Sequence, residues 1–123
     1  MILAVVQQKQ RLDSVFSLVA QMTPSEEVLS HWAKYLCVLT SGFIEESLRL
    51  LLYEYASTHS DTPVASYVSA RLEGLTNLND EKICQLLGSF SDDWRDKFLA
   101  TRSEEQKDAI DSVLANRHLI AHG

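Results

Sequence analysis

The amino-acid sequence predicts an all-α fold, a bundle of two long N-terminal helices, short middle helices and a closing helix. Apolar residues recur with the helical period of 3.6 in most segments, and Ser, Thr, Asn or Asp stand where helices are expected to begin. No segment alternates apolar and polar residues over the length of a strand, and no Asn-Gly or Asp-Gly turn occurs. These three observations together favour helices throughout the chain.

The first helix is predicted from an apolar stripe, and a capping pattern follows it. Thr23 is the predicted N-cap of the second helix, with Pro24 at its first position and Glu26 three residues after the cap. In this capping box the two side chains satisfy backbone amides that have no partner inside the helix. The stripe that predicts the first helix consists of Leu12, Val15, Phe16, Val19 and Met22.

The second helix runs without a proline to Ala56. It is either one helix of about 30 residues or two helices hinged near Ser41 and Gly42. Glycine costs about 1 kcal/mol relative to alanine in a helix interior, so we expect Gly42 to have a reason such as close packing of a neighbouring helix.

The middle of the chain predicts three short helices. Pro63 opens a helix from Val64 to about Leu75, after the loop "STHSDTP". Asn79 or Asp80 caps the next one, which Gly88 is expected to end. A third short helix surrounds Trp94, Phe98 and Leu99, and the adjacent Asp92 and Asp93 at its start are expected to serve capping and the helix dipole.

The closing helix begins with Ser103 as N-cap and Gln106 at its third position. Arg117 falls in the middle of the apolar arc of this helix, where a charged side chain must meet a carboxylate, a water-filled cleft or a second subunit. The apolar members of the arc are Ile110, Val113, Leu114 and Ala121.

Two histidines flank this arginine near the end of the chain. His118 and His122 are four residues apart, so they share one helix face, and a phosphate-sized anion between them would also reach Arg117. Helix electrostatics alone also favours cations in a last turn that a glycine follows. A metal site would use both histidines, but no third ligand is evident nearby, and no metal or other cofactor is expected.

Composition predicts one globular domain, residues 1–123. We expect the natural chain to continue past Gly123. Seventeen acidic residues against 11 Lys and Arg give a net charge of −6, which argues against a broad surface for duplex DNA. Cys37 and Cys84 are expected to be buried free thiols. No signal peptide and no stretch long enough to cross a membrane is evident, so a cytoplasmic protein is expected.

The segment "NRHLIAHG" resembles the signature of the HEPN superfamily, an arginine, a polar residue, three further residues and a histidine, here Arg117, His118 and His122. The ending "AHG" is similar to that of the RiboL-PSP-like branch. "VLTSGFIEESLRLLLYEY" resembles the second HEPN helix, whose glutamate is best matched by Glu45. Asparagine is commonest directly after the arginine, whereas this chain has a histidine there and Asn116 before the arginine.

The resemblance implies a metal-independent endoribonuclease that works as a homodimer, with both motifs facing one cleft. His122 would move protons, Arg117 would hold the phosphate, and His118 would be a second proton-transfer or phosphate-binding group. Asn116 would support the site. Glu45 would orient Arg117 by a salt bridge, or else be a solvated surface carboxylate.

Two other classes of function stay open. HEPN proteins include modules that bind nucleotides or partners without cleaving RNA, and toxins silenced by a partner, so an antitoxin or other protein partner in a toxin–antitoxin or phage-defence system is an alternative. A plain helical dimerisation domain would use Arg117 in an interchain salt bridge.

His31 and His59 are expected at the surface. The aromatic residues expected in the core or a dimer interface, rather than in a base-stacking platform, are Trp32, Tyr35, Phe43 and Tyr53.

Overall fold

The computed structural model describes the backbone of residues 2–122 and the side chains of residues 3–117 and 120. No strand occurs in this part of the chain, which confirms the predicted all-α class. The helices are α1 (Ile2–Gln21), α2 (Glu26–His59), α3 (Thr62–Glu73), α4 (Asp80–Phe90), α5 (Asp92–Thr101) and α6 (Glu104–His122).

Contacts divide the chain into two compact units, an N-terminal unit (Met1–Thr76) and a C-terminal unit (Asn77–Gly123). In the N-terminal unit, α2 packs against both α1 and α3. In the C-terminal unit, α4 packs against both α5 and α6. A single domain of residues 1–123 stays a prediction.

Helix α2 begins two residues later than predicted. Its N-cap is Ser25, whose Oγ accepts a hydrogen bond from the Val28 amide at 3.3 Å. Thr23 and Pro24 precede the helix, so their predicted capping and first-turn positions were wrong. The observed register places two consecutive glutamates in the first turn, where the positive end of the helix dipole stabilises them.

Helix α2 is a single continuous helix of 34 residues, so no hinge occurs near Gly42. It ends at His59, three residues past the predicted Ala56. The predicted reason for Gly42 was also wrong, because a Cβ built there would meet no atom within 4 Å in the described part of the chain. Gly42 therefore lowers the stability of α2 by about 1 kcal/mol, and no described residue makes a compensating contact with it.

Arg49 of α2 ties down the end of α3. Its Nε donates to the Leu72 carbonyl oxygen at 3.2 Å, and its Nη2 donates to the Leu75 carbonyl oxygen at 2.9 Å. These carbonyls lie at the negative end of α3, where a cation is favourable. Helix α3 starts two residues before the predicted Val64, with Pro63 in its first turn as expected.

Helix α4 is capped by Asn79, whose side chain accepts from the Lys82 amide at 2.9 Å, and the alternative cap Asp80 is its first residue. The prediction that Gly88 ends this helix was wrong, because α4 continues to Phe90. A Cβ at Gly88 would lie 3.3 Å from Cδ of Arg95, so the glycine makes room for the neighbouring helix rather than ending its own.

The start of α6 follows the predicted capping chemistry, and the start of α5 follows it in part. Asp92 and Asp93 lie in the first turn of α5, as expected for residues that complement the helix dipole, but the N-cap is Ser91, whose Oγ accepts from the Trp94 amide at 3.3 Å. The capping box of α6 is confirmed in both directions. Ser103 Oγ accepts from the Gln106 amide at 3.0 Å, and Gln106 Oε1 accepts from the Ser103 amide at 2.9 Å.

Candidate functional site

The candidate site occupies the last two turns of α6. Arg117 is half-buried on the face of α6 that also carries Ile110, Val113 and Leu114. Leu114 is only 8% exposed, and the other two are half-buried, so this face is the packed one. The planar guanidinium of Arg117, with its several N–H donors, therefore lies beside an apolar surface. Water screens its charge less there than at a fully exposed position.

The side chains of His118, Ala121 and His122 lie outside the described residues. The backbone of α6 continues in helical conformation through His122. Four residues of helix advance about 6 Å, so positions 118 and 122 lie on successive turns of the same face, and positions 117 and 121 do the same beside them. The predicted roles of the two histidines stay predictions.

Charge is segregated along α6. All four acidic residues of this helix lie in its first half, and its only arginine and both histidines lie in its last two turns. The carboxyl end of a helix is its negative end, so cations there stabilise α6 and the dipole itself repels anions. An anion at this end must be held by the side chains, and one arginine with two histidines per chain is a small cationic site.

Asn116 contacts its own helix. Its Nδ2 donates to the Ser112 carbonyl oxygen at 2.9 Å, four residues back along α6, and the residue is exposed. The predicted support of Arg117 by Asn116 stays a prediction. Such support would use Oδ1 of Asn116 as the acceptor, and this atom is not engaged in the hydrogen bond to Ser112.

Glu45 is a buried carboxylate, only 6% exposed. The alternative that it is a solvated surface residue was therefore wrong, whereas its neighbour Glu46 has a side chain that is 46% exposed. Oε2 of Glu45 lies 3.9 Å from Nη2 of Arg49, so a cation of its own helix partly balances its charge. The predicted salt bridge from Glu45 to Arg117 stays a prediction.

Sequence reasoning missed a buried ion pair that holds the C-terminal unit together. Asp80 Oδ1 lies 2.7 Å from Arg102 Nε, and the two side chains are 4% and 13% exposed. Neither atom has hydrogen-bond geometry, so the contact is an ion pair. Asp111 of α6 accepts from the Asp80 amide at 3.0 Å, and Lys107 lies 3.7 Å from the other oxygen of Asp111.

This network joins α6 to the start of α4. The carboxylate of Asp111 satisfies an amide in the first turn of α4, at the positive end of that helix, where a negative charge is favourable. Arg102 neutralises Asp80 in the same place. The sequence showed Asp80 only as an alternative cap, and Arg102 only as a residue before the cap of α6. Nothing in either local pattern indicated that the two would pair.

Cys84 lies beside the same network, with its Sγ 4.0 Å from Oδ2 of Asp80. Burial of the thiol raises its pKa, and the negative charge of Asp80 raises it further, while Arg102 acts in the opposite direction. Cys37 and Cys84 are free thiols as expected, but both are half-buried rather than buried. Among the described side chains, no three His, Cys, Asp or Glu residues lie together in a way that could hold a metal ion.

The aromatic residues of α2 do not form a core. Tyr35 is 51% exposed and Tyr53 is 39% exposed, while Trp32 and Phe43 are half-buried. Trp32 and Tyr35 meet edge to face with their ring centroids 5.7 Å apart. His59 is exposed as expected and stacks on Tyr55 at the end of α2.

An all-α chain whose last helix carries an arginine and a histidine in this spacing has the features of a HEPN domain. The family model described as RiboL-PSP-HEPN matches residues 7–123, and the chain therefore belongs to the RiboL-PSP-HEPN family. No curated protein and no solved structure gives a match to it. HEPN domains are often ribonucleases and commonly dimerise. Within residues 2–122, no helix has both the length and the apolar character required to cross a membrane.

Proposed function

We propose that the chain is a metal-independent endoribonuclease that cleaves RNA in a cleft shared by two copies. The observation that carries the proposal is the half-buried Arg117 on the packed face of α6, five residues before His122, in a chain of the RiboL-PSP-HEPN family. A guanidinium at such a position presents paired donors that match the oxygens of a substrate phosphate.

Arg117 would stabilise the transition state. Attack on the phosphorus atom of RNA places extra negative charge on its two non-bridging oxygens. A guanidinium is charged at every physiological pH and presents two parallel N–H groups, so it can donate to both oxygens at once. A half-buried position strengthens this interaction relative to one in bulk water.

The two histidines would move the protons. A base, proposed as His122, takes the proton of the 2′-hydroxyl, and the 2′-oxygen attacks the adjacent phosphorus. The bond from phosphorus to the 5′-oxygen breaks, and an acid, proposed as His118 or a histidine of the second copy, protonates that oxygen. The products are a 2′,3′-cyclic phosphate and a 5′-hydroxyl. Histidine suits both tasks because its ordinary pKa lies near neutrality.

A dimer would solve the electrostatic problem of this chain. With a net charge of −6, the protein as a whole repels a polyanion. Two copies that face each other would bring two arginines and four histidines of the motif into one cleft. The local potential there would then be positive although the surface is acidic.

The test is cleavage of labelled RNAs of mixed sequence, with EDTA present, by the wild type and by Arg117→Ala and His122→Ala. Matched controls are Arg71→Ala and His59→Ala, which change an exposed arginine and an exposed histidine outside the motif. We expect the wild type to leave cyclic phosphate ends, both motif variants to lose about 100-fold or more, and both controls to cleave normally. Glu45→Gln in the same assay tests its predicted orienting role.

Three outcomes would overturn the proposal. If the folded wild type cuts no RNA, the chain is a module that binds a nucleotide or a protein partner. That partner would be, for example, the antitoxin in a toxin–antitoxin or phage-defence system. If Arg117→Ala turns a dimer into monomers or unfolds it, Arg117 is an interchain salt-bridge residue of a dimerisation domain. If both motif variants cleave as well as the wild type and the control variants, the activity belongs to a contaminant.

A further inference from the structure

An apolar groove of about 420 Å³ runs between α1 and α2 in the N-terminal unit. Leu12 and Val15 of α1 line one side, and Leu39 and Phe43 of α2 line the other. Small-molecule sites usually have volumes of about 300–1,000 Å³ and a mostly apolar lining with a few polar groups. The groove therefore has the size and the lining of a site for a small ligand.

Water covers part of the apolar lining. Tyr35 and Val38 both line the groove, and they are 51% and 43% exposed. Removal of apolar surface from water is favourable in proportion to its area. A ligand with an apolar body would therefore gain binding energy by covering these two residues.

Gly42 keeps the groove open. It lines the groove, α2 continues through it, and a Cβ added there would meet no described atom within 4 Å. A larger residue at this position would extend its side chain into the groove. Glycine in a helix interior lowers stability, and local preferences of this kind are typically broken at functional sites.

Three polar groups line the groove without a partner among the described residues. They are the amide of Gln8, the guanidinium of Arg11 and the hydroxyl of Tyr35. All three can donate hydrogen bonds, and the guanidinium is positively charged. Lys9, the preceding cation of α1, is by contrast paired with Asp13 at 2.8 Å. The donors of the groove therefore suit an anionic group on the ligand.

Glu46 limits how much negative charge the ligand can carry. Its carboxylate also lines the groove, and its side chain is 46% exposed although Nη1 of Arg49 lies 3.3 Å away. One negative charge beside Arg11 is favourable, whereas a phosphate monoester, with nearly two negative charges at neutral pH, would be repelled more strongly. A carboxylate is the anion that fits both residues.

We propose that this groove binds an amphipathic monocarboxylate, with its apolar body between α1 and α2 and its carboxylate held by Arg11. The site lies within the N-terminal unit and requires nothing of the motif on α6. It therefore does not depend on the proposed ribonuclease activity.

Decanoate is the probe, and the fluorescence of Trp32 reports its binding to the full chain. Trp32 meets Tyr35 edge to face with ring centroids 5.7 Å apart, so a ligand on Tyr35 changes the surroundings of Trp32. Trp94→Phe removes the other tryptophan. We expect saturable binding of one decanoate per chain. Decylammonium should bind about tenfold or more weakly, although the net charge of −6 favours a cation overall.

Two variants in this background locate the site. Arg11→Gln should weaken the binding of decanoate about tenfold and leave that of uncharged decanol unchanged, because it removes only the charge contact. Lys9→Gln is the matched control on the same helix and should change neither. Gly42→Leu fills the groove and should weaken both probes about tenfold or more, while far-ultraviolet circular dichroism shows unchanged helix content.

Four results would overturn the proposal. The first is no saturable change below about 1 mM decanoate. The second is equal binding of decanoate and decylammonium, which would make the groove an unselective apolar surface. The third is unchanged binding in Gly42→Leu, which would place the ligand elsewhere. The fourth is binding that weakens as the chain is concentrated, which would show that a second copy covers the groove.

Discussion

Removal of the cation from the buried ion pair should strongly destabilise the C-terminal unit. In Arg102→Met the side chain keeps an unbranched apolar stem of similar reach and loses its guanidinium. In the wild type the carboxylate of Asp80 is 4% exposed and its Oδ1 lies 2.7 Å from Arg102 Nε. In the variant this carboxylate would be buried without a countercharge. The carboxylate of Asp111, which accepts from the Asp80 amide, would add repulsion.

The expected loss follows from the burial of both groups. Removing one partner of a buried ion pair costs about 3–5 kcal/mol, because the remaining charge stays desolvated. The second contact of Arg102, to Glu104 at 3.6 Å, adds little because the side chain of Glu104 is 83% exposed. We therefore expect the free energy of unfolding to fall by about 3 kcal/mol and the melting temperature by roughly 10 °C.

Urea denaturation followed by circular dichroism at pH 7 measures this loss. Asp80→Asn combined with Arg102→Met removes both charges and should cost less than Arg102→Met alone, since no buried charge is left unpaired. Lys97→Met is the matched control, because it breaks an ion pair to Asp93 of 2.9 Å whose side chains are 76% and 68% exposed. Its expected cost is below about 0.5 kcal/mol.

Two results would refute this reasoning. If Arg102→Met costs no more than Lys97→Met, Asp80 is hydrated or protonated when its partner is removed, and the pair contributes little. If the double variant is less stable than Arg102→Met, the cost arises from lost packing around residue 80 rather than from an unpaired charge.

Three further predictions concern the cap of α2, the thiol and the motif. Ser25→Ala should lower the free energy of unfolding by about 1 kcal/mol in urea denaturation, because Ser25 caps α2, whereas Thr23→Ala should change it little. The raised pKa of Cys84 means that the folded chain keeps this thiol protonated where the unfolded chain ionises it. The resulting contribution to stability is present below the pKa of the thiol in the unfolded chain and is lost as the pH rises through its pKa in the folded chain. Iodoacetamide should therefore modify Cys84 more slowly in the native chain than in urea at pH 9, as measured by mass spectrometry. Equal rates would contradict the burial of the Cys84 thiol. Arg117→Lys keeps the charge but not the paired donors, and it should slow RNA cleavage about tenfold or more. Full activity of this variant would show that the paired donors are not needed.

The features that could be predicted from the sequence are the local ones. Helix order, the cap at Asn79 and the capping box of Ser103 and Gln106 depend on residues within one turn of each other, and the structure confirms them. The prediction of the N-cap of α2 was wrong because Thr23 and Ser25 are both good N-cap residues. The choice between them rests on which register places two glutamates in the first turn.

The features that could not be predicted depend on neighbours far along the chain. A glycine near the end of an apolar run is typical of a helix end, yet α4 continues through Gly88 to Phe90, and the missing Cβ leaves room for the side chain of Arg95. Arg102 and Asp80 are 22 positions apart, and each has a plausible local role at a helix terminus. Arg117, by contrast, was evident because it interrupts an apolar stripe and because the segment around it resembles a family signature.

Asp111, which contacts the missed ion pair, lies on the same helix as the predicted motif, and this determines how the candidate site is positioned. Asp111 fixes the first half of α6 to the start of α4, and Arg102 with Asp80 stabilises that junction. From Asp111 to Arg117 is six residues of continuous helix, about 9 Å, so the junction sets where the motif lies within the C-terminal unit. Arg102 is therefore a positioning residue for the proposed chemistry. At temperatures where Arg102→Met is still folded, its loss of cleavage should exceed its unfolded fraction, whereas Lys97→Met should lose none.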